Sequence, residues 1–314
     1  MKTFVTLGDL IADFYLGIER FPVAPGQHQD VSALMLGPGG AGNALVAAAR
    51  LGLPCVALGA VGEDWIGERV LAQLRDEGVD TSAVLVMEDE ATTTAVVLKA
   101  NASQHVFLGY PGARGPTSLP AAWREALHSA GVVLVDGWAY RQSWPDVIRA
   151  GVEAAASAGA TVLFDPGPLG PALNLDWRDS ILRAARVLLI NDDEARALTG
   201  ESDPRASLAI LRNWGARTVI IKRGAGGCVI ADEEKWIECP GYPVQAVDSI
   251  GAGDCFAAAV AWGLLHQQPW EVMGAVANAV GAAKVQKIGS ALAAPTRAEV
   301  RAILDADHVS VTLI

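Results

Sequence analysis

Apolar runs and amphipathic segments alternate along most of this chain. Short apolar runs predict buried strands at residues 3–7, 54–61, 132–135, 161–164, 187–190 and 218–222. Between and after these runs, apolar residues recur at the helical period, or the segment is apolar on every side. The helices predicted in this way cover residues 44–51, 64–77, 120–130, 145–158, 180–185, 192–199, 204–214, 270–284 and 296–305. Alternating strands and helices predict parallel βαβ units, in which helices cover both faces of one sheet.

Two segments near the N-terminus do not follow this alternation. Residues 9–36 alternate weakly and contain Pro22, Pro25 and Gly26, which favours short strands over a crossover helix. Residues 92–110 are rich in threonine and predict a β-hairpin. We expect the two segments to pair into a small sheet, a lid over the carboxyl ends of the main strands, where open α/β sheets bind ligands. Residues 1–314 would then form a single α/β domain, with a hairpin at 228–231 and 235–238 closing its main sheet.

The segment at residues 244–265, VQAVDSIGAGDCFAAAVAWGLL, carries the most distinctive chemistry. Its pattern predicts an apolar strand, a Gly-Ala-Gly turn and a helix that begins near Asp254. The N–H groups of a first helical turn and the helix dipole favour an anion there, and Gly251 and Gly253 let the backbone approach a bulky one. A carboxylate at this place would accept the proton of an attacking hydroxyl, which suggests phosphoryl transfer. The alternative is that Asp254 is only the N-cap of the helix.

Composition and charge exclude several classes of protein. Of 314 residues, 51% are hydrophobic and 19% are charged, which predicts a large core and excludes a disordered chain. The net charge of −11 and the lack of a basic run argue against nucleic-acid binding. Four cysteines without a C-x-x-C pair fit a reducing compartment. The first residues contain acids too early for a signal peptide, and the most apolar helix, 255–265, is too short to span a membrane, so we expect a cytoplasmic, soluble protein.

Two motifs resemble those of the ribokinase-like (PfkB) carbohydrate kinases, and the resemblance covers essentially the whole chain. The family's C-terminal motif, D-[ST]-x-G-A-G-D, is matched by Asp248, Ser249, Gly251, Ala252, Gly253 and Asp254. Its N-terminal motif, a G-G-x-x-N turn that opens an Ala-rich helix with glycines downstream, is matched by Gly39, Gly40, Asn43, Gly52 and Gly62. Two motifs in the right order are far more specific than either alone. The resemblance implies a three-layer α/β/α fold with a mostly parallel central sheet and a small β-sheet lid.

The resemblance also implies roles for individual residues. Asp254 would be the general base, and the N–H groups of Gly251, Ala252 and Gly253 would form an anion hole. Residues that would bind the sugar are Asp13, Gly39, Gly40 and Asn43. Asn191 and Glu194 match an N-x-x-E element that organises Mg²⁺ and the phosphates through water. The turn along ATP would contain Lys222, Gly224 and Gly227, with Asn278 beside the adenine. Asp248 and the Ile250 carbonyl match a monovalent-cation loop, so the expected cofactors are ATP, Mg²⁺ and K⁺.

Several of these residues have simpler interpretations. Asp13 could be a surface turn residue, Asn43 the N-cap of its helix, and Asn278 an exposed polar position. Glu194 could merely favour a helix N-terminus through the dipole. Asp165, which begins an Asp-Pro-Gly turn at the end of a strand, is a weak site candidate because such turns use Asp and Pro anyway.

Departures from the family pattern limit the choice of substrate. Ile11 stands where ribokinases carry an asparagine, Leu45 replaces a small residue, and the strand end at 136–138 lacks the glutamate of ribose-specific members. We therefore expect ATP-dependent phosphorylation of a primary hydroxyl of a small sugar or sugar acid. A nucleoside kinase and a catalytically silent sugar-binding relative remain alternatives, whereas a Rossmann dehydrogenase would need a G-x-G-x-x-G motif after the first strand. The exposed strands of the lid predict a homodimer.

Overall fold

The structure, a computed structural model, describes residues 2–101, 104–140, 144–232, 235–309, 311 and 313. Residues 102 and 103 of the predicted hairpin lie outside the described residues. The strands are β1 Thr3–Leu7, β2 Leu10–Gly17, β3 Ala33–Gly40, β4 Cys55–Leu58, β5 Ala60–Gly62, β6 Val79–Asp80, β7 Leu85–Met87, β8 Thr94–Lys99, β9 His105–Tyr110, β10 Ala130–Asp136, β11 Thr161–Asp165, β12 Val187–Asn191, β13 Thr218–Lys222, β14 Cys228–Ala231 and β15 Trp236–Cys239. The α-helices are α1 Ala41–Arg50, α2 Trp65–Asp76, α3 Ala121–Ser129, α4 Pro145–Ser157, α5 Leu175–Ala184, α6 Asp192–Thr199, α7 Pro204–Asn213, α8 Ala252–Leu265, α9 Trp270–Val285 and α10 Arg297–Ala306.

Nine strands form the central sheet, in the order β15-β14-β13-β12-β11-β10-β1-β4-β6. The seven strands from β13 to β6 run parallel, and β14 and β15 close the other end as an antiparallel hairpin. Side chains of each buried strand alternate between two hydrophobic cores, as in β1, where Phe4 faces one core and Val5 and Leu7 face the other. One core packs against α1, α8 and α9, and the other against α3, α4 and α5. This is the three-layer α/β/α arrangement that the sequence predicts.

A separate four-stranded sheet, here called the small sheet, has the order β3-β2-β8-β9. It joins two strands from each of the two irregular N-terminal segments. β2 pairs antiparallel with β3 and parallel with β8, and β8 pairs antiparallel with β9. The strand β3 continues directly into α1, so the small sheet leads into the Gly-Gly turn before that helix.

One predicted strand is wrong. Residues 244–249, which were expected to enter the glycine turn as an apolar strand, form an irregular segment instead. The segment follows the last strand of the central sheet and is hydrogen-bonded to no strand of the described sheets, and its residues 245–247 are exposed. Its backbone is held by α9, since the N–H groups of Val247 and Asp248 both donate to the Val285 carbonyl.

Smaller differences have local causes. The apolar run at 54–61 is two strands, β4 and β5, in different sheets, because the chain turns at Gly59. A Cβ at Gly59 would lie 2.8 Å from Leu10 Cγ, so this turn requires glycine. Helix α5 begins earlier than predicted because the Asn174 side chain caps it at the Trp177 N–H.

The four cysteines are free and buried within the described chain. In the described part of the chain, every helix is too short or too polar to cross a membrane.

Candidate active site

Polar residues end four neighbouring strands of the central sheet. The register of the parallel strands places Asp136 beside Asp165 and Asn191 beside Lys222. Each of these residues follows an apolar run, so the buried part of its strand ends where the polar residue emerges. The carboxyl ends of the strands therefore present a row of carboxylate, amide and ammonium groups at one edge of the sheet.

Helix α8 begins at this edge, through the glycine turn. Its N-cap is Gly251, whose φ of 73° lies in the left-handed region that glycine tolerates. Asp254 lies in the first turn and is not the cap, so the N-cap interpretation of this residue is wrong. The N–H of Ala252 donates to the Ser249 carbonyl at 3.1 Å, so one of the three expected anion-hole donors already has a protein acceptor.

The carboxylate of Asp254 is held by Asn43. The Asn43 side-chain amide donates to Asp254 Oδ2 at 2.8 Å, from inside α1, so Asn43 is not the N-cap of its helix either. Burial, together with the nearby Asp165 carboxylate, raises the pKa of Asp254 to about 6, although the Asn43 hydrogen bond and the Lys222 ammonium oppose the rise. The other side-chain atom of Asn43, Oδ1, is buried and has no hydrogen-bond partner among the described residues. This atom is available to a hydroxyl donor from a ligand.

Lys222 lies between three carboxylates. Its Nζ is 2.7 Å from Asp165 Oδ2, and the charges of Glu194 and Asp254 also act on it. Burial by itself lowers the pKa of Lys222, but Asp165 and Glu194 outweigh this effect and raise it. Burial and Asp165 raise the pKa of Glu194, against the opposing effect of Lys222. Lys222 also faces the start of α8, since a Cβ at Gly253 would lie 3.4 Å from Lys222 Nζ, and a cation beside a helix N-terminus favours a phosphate there.

Glu194 also has the structural role that its simpler interpretation proposes. Asn191 caps α6 by accepting the Glu194 N–H at 2.8 Å, and Glu194 Oε2 accepts the Asn191 N–H at 2.8 Å. This capping box fixes both residues at the strand end. No cluster of three acidic, His or Cys side chains in the described chain could hold a metal by itself. A single carboxylate such as that of Glu194 can nevertheless serve Mg²⁺, which keeps several waters and binds to proteins through one or two carboxylates plus substrate phosphates.

Asp13 lies at the other side of the site, on β2. Its side chain is buried, so the surface-turn interpretation is wrong. Burial raises the pKa of Asp13 to about 7, and the Asp254 and Asp9 carboxylates act in the same direction against a hydrogen bond from Ser290. Gly39 packs directly on this carboxyl group, since a Cβ there would lie 2.3 Å from Asp13 Cγ. Gly40 has a φ of 54°, and a Cβ there would lie 2.5 Å from the Asp9 carbonyl oxygen, so contacts require both glycines of the turn.

Two acidic residues of the site are absent from the sequence-based candidates. Asp136 ends β10, and burial raises its pKa to about 8, with Asp9, Asp254 and Asp165 all adding to the rise. Asp9 follows β1 and acts on both Asp13 and Asp136. The available signal was position: both residues follow a buried parallel strand, as Asp165 does.

The remaining nucleotide-site candidates gather around the turns after β13 and β15. Gly227 has a φ of 83°, and a Cβ there would lie 2.1 Å from the Cys239 carbonyl oxygen. Asn278 is buried, so it is not an exposed polar position, and its side-chain amide donates to the carbonyls of Cys239 and Pro240, both at 3.0 Å. Gly224 begins the short 3₁₀ turn that links β13 to β14. Asn278 and the 224–227 turn thus approach each other across β15.

Comparison with known proteins gives matches over nearly the whole chain. A family model described as pfkB family carbohydrate kinase matches residues 1–297. The 2-dehydro-3-deoxygluconokinase of Bacillus subtilis is 31% identical over 326 residues, which cover 97% of this chain and 96% of the relative. The bifunctional protein HldE of Bradyrhizobium diazoefficiens is 30% identical over 93% of this chain, which spans only 61% of HldE. The structure of Arabidopsis thaliana ribokinase complexed with ribose and ATP has a TM-score of 0.84 and 27% identity, covering 96% of this chain and 98% of that one, which confirms the predicted fold.

Proposed function

Because the chain belongs to the pfkB family of carbohydrate kinases, we propose that it transfers the γ-phosphoryl group of ATP to a primary hydroxyl of a small sugar, with Asp254 as the general base. The observation that carries this proposal is the position of Asp254. Its carboxylate lies in the first turn of α8, next to N–H groups that attract an anion, and is oriented by Asn43. A proton acceptor and an anion-binding helix end at one place suit attack of a hydroxyl on a phosphoryl group.

The pKa of Asp254 suits this role. With a pKa of about 6, the carboxylate is largely ionised at pH 7 and still basic enough to take a proton in the transition state. Asn43 binds Oδ2, which leaves Oδ1 of Asp254 to receive the hydroxyl proton. General-base help of this kind contributes about 10²–10⁴-fold, and the rest of the rate enhancement would come from positioning and charge stabilisation.

ATP and Mg²⁺ would supply the phosphoryl group and neutralise part of its charge. In the protein, Lys222 and the N–H groups of Gly251 and Gly253, at the start of α8, would hold the phosphates near Asp254. Glu194, fixed by its capping box, would bind the Mg²⁺ hydration shell. The turn that contains Gly224 and Gly227, together with Asn278, would bound the nucleotide on its other side. The small sheet would act as a lid that excludes water from the reacting phosphoryl group.

The charge around the sugar site favours a neutral substrate over a sugar acid. The charges that act on Asp13 and Asp136 are those of other carboxylates, from Asp9, Asp165 and Asp254. An anionic sugar would be repelled by this group, whereas hydroxyls would be bound by it as donors and acceptors. Asn43 Oδ1 adds one more acceptor, for which the described residues provide no donor.

The test measures ADP release from Mg·ATP in the presence of each of six compounds: ribose, fructose, 2-keto-3-deoxygluconate, tagatose 6-phosphate, adenosine and cytidine. We expect the largest kcat/KM with a neutral sugar, and a kcat about 10²–10⁴-fold lower in Asp254→Asn with that sugar. Preference for 2-keto-3-deoxygluconate or tagatose 6-phosphate would overturn the neutral-sugar proposal and retain the kinase. Preference for adenosine or cytidine would support the nucleoside kinase. ATP binding without turnover of any compound would support the silent relative.

A further inference from the structure

The buried carboxylate of Asp248 organises the loop that leads into α8. Its side chain is fully buried. Oδ1 accepts the Ile250 N–H at 3.1 Å, and Oδ2 accepts the Gly289 N–H at 2.9 Å. These bonds fix the backbone immediately before Gly251, so the position of the anion-binding helix end depends on this carboxylate. A carboxylate buried in this way needs a positively charged partner, because burying an unpaired charge is very costly.

The protein provides the counterion itself, from the small sheet. Lys99 is the last residue of β8, and its Nζ lies 3.2 Å from Asp248 Oδ1. Both side chains are shielded from solvent, with 4% and 0% of their surface exposed. The ion pair therefore joins the end of a small-sheet strand to the loop before α8.

Other side chains of the small sheet reinforce this connection. Tyr15 of β2 and Val97 of β8 form a separate apolar cluster with Ile250 of the loop. Burial and the nearby Asp248 carboxylate raise the pKa of the Tyr15 hydroxyl to about 12. Through Lys99, Tyr15 and Val97, two strands of the small sheet contact the loop at residues 248–251, which leads into α8.

A potassium ion does not fit at this carboxylate as the residues are arranged. The family resemblance implies a monovalent cation bound by Asp248 and the Ile250 carbonyl. Here the Lys99 ammonium already lies against Asp248, and a second buried ammonium, that of Lys284, is close enough to interact with both Asp248 and Lys99. Burial lowers the pKa of Lys284, and the neighbouring Lys287 and Lys99 charges act in the same direction. A potassium ion would add a third positive charge around one buried carboxylate, which like-charge repulsion opposes.

We propose that Lys99 is a tethered cation that takes the place of a bound monovalent ion, so that the enzyme works without potassium and the small sheet directly holds the anion-binding loop. An ammonium group is a compact point charge with three N–H donors, and it can replace a free cation at a carboxylate. A covalently attached ammonium group differs from a bound ion in one respect. A bound ion exchanges with the solvent, whereas Lys99 stays with β8 and leaves the loop only if the small sheet moves. Placement of the loop is therefore coupled to placement of β8.

The experiment compares K⁺, NH₄⁺, Li⁺ and tetramethylammonium chlorides at a fixed ionic strength of ~0.1 M. Two readouts need no sugar: the Tm of the full chain, and its affinity for Mg·ATP by calorimetry. They test the inference even if the proposed sugar-kinase function fails. The variants are Lys99→Ala, which leaves space for an ion, and Lys99→Met, which fills that space without a charge. Lys235→Ala, at an exposed lysine in the β14–β15 turn, is the matched control.

We expect the wild type and Lys235→Ala to have the same Tm and the same Mg·ATP affinity in all four salts. Lys99→Ala should bind Mg·ATP about tenfold more weakly in tetramethylammonium, and K⁺ or NH₄⁺ should restore most of the loss. Lys99→Met should lose as much Mg·ATP affinity, and neither K⁺ nor NH₄⁺ should restore it. A wild type that K⁺ alone stabilises or activates would overturn the proposal. So would a Lys99→Ala variant that behaves alike in every salt. If Lys99→Ala does not fold, the salt dependence of the wild type still decides.

Discussion

At the scale of single residues, the site depends on carboxylates held close together. Asp254, Asp13 and Asp136 all have raised pKa values because burial and neighbouring acids disfavour their ionised forms. Lys222, at the strand ends, and Lys284 oppose this rise at Asp254. Such perturbed carboxyl groups are typical of functional sites, and each can be tested by a single change.

The first test removes the proposed base. Asp254→Asn keeps the size of the side chain and an oxygen that can accept the Asn43 hydrogen bond, so we expect the fold and the Mg·ATP affinity to be unchanged. The kcat should fall by about 10²–10⁴-fold, because an amide cannot accept the hydroxyl proton. Single-turnover kinetics and calorimetry measure the two effects separately. Near-normal turnover, or loss of the fold, would contradict the assignment.

The pH dependence of kcat/KM tests the same residue in the intact protein. The base works when ionised, so activity should be constant above its pKa of about 6 and fall as the pH drops below it. Protonation of Asp13, whose pKa is about 7, would steepen the fall if its ionised form binds the sugar. Asn43→Ala removes a hydrogen bond that favours the ionised form of Asp254, so the pKa of Asp254 should rise. The fall of kcat/KM on the acidic side of the profile should therefore occur at higher pH in this variant. An unchanged limb in this variant would show that another group controls the profile.

The Gly-Gly turn can be tested by one added methyl group. In Gly39→Ala the new Cβ would lie 2.3 Å from Asp13 Cγ, so the carboxyl group must move. We expect KM for the sugar to rise at least tenfold, with little change in the affinity for Mg·ATP. This rise corresponds to a loss of about 1.4 kcal/mol or more of sugar-binding free energy. Gly109→Ala is the control, because it lies in the same sheet and its Cβ would meet no atom within 4 Å. Equal effects of the two substitutions would argue against a specific role for Gly39.

At the scale of elements, hydrophobic patterning predicts the βαβ units well. The strands β1 and β13 and the helix α6 begin and end where the sequence places them. The helix is bounded by its N-cap Asn191 and its C-cap Gly200, and the two strands are short apolar runs between polar or glycine residues. The segment at 244–249 fails because apolar residues in a loop give the same pattern as a buried strand. The strands β6 and β7 have only two and three residues and leave no periodic signal.

The site was predictable only where the chemistry is local in sequence. The glycine turn and Asp254 form one motif, and Gly39, Gly40 and Asn43 form a second. Asp9 and Asp136 stand alone after their strands, so they become candidates only when the strand order is known. The pairing of Lys99 with Asp248 joins the small sheet to the loop before α8 and depends on tertiary packing, which no spacing rule records.

The helix α9 allows a matched test of packing at the element scale. Gly281 lies inside the helix, and an added Cβ would meet no atom within 4 Å, so Gly281→Ala should stabilise the protein by about 0.5–1 kcal/mol. Gly274 lies in the same helix, but a Cβ there would lie 2.3 Å from Cys239 Sγ, so Gly274→Ala should destabilise by about 1–3 kcal/mol. Urea unfolding of both variants measures the difference. If both substitutions changed the free energy of unfolding in the same direction, the packing of Gly274 against Cys239 would be contradicted.

At the scale of the whole molecule, the small sheet leaves apolar side chains uncovered. β9 is an edge strand, and Phe107 and Leu108, whose side chains point to opposite faces, are 50% and 55% exposed. At the opposite edge, Leu34 of β3 is 69% exposed. Edge strands with exposed apolar residues pair readily with another chain, and natural monomers usually protect them with charges or proline. This pattern supports the proposed homodimer through the small sheet.

The dimer proposal predicts sedimentation as a dimer at micromolar concentration, and a shift to monomer in Leu108→Lys, which places a charge on the edge strand. Leu175→Lys is the control, because Leu175 is 61% exposed on α5, outside the small sheet. If dimerisation also holds β8 in place, the monomeric variant should bind Mg·ATP more weakly, since Lys99 would hold the loop before α8 less firmly. A monomeric wild type would contradict the dimer. A monomeric Leu108→Lys with unchanged affinity would show that the small sheet keeps its contact with the loop without a partner.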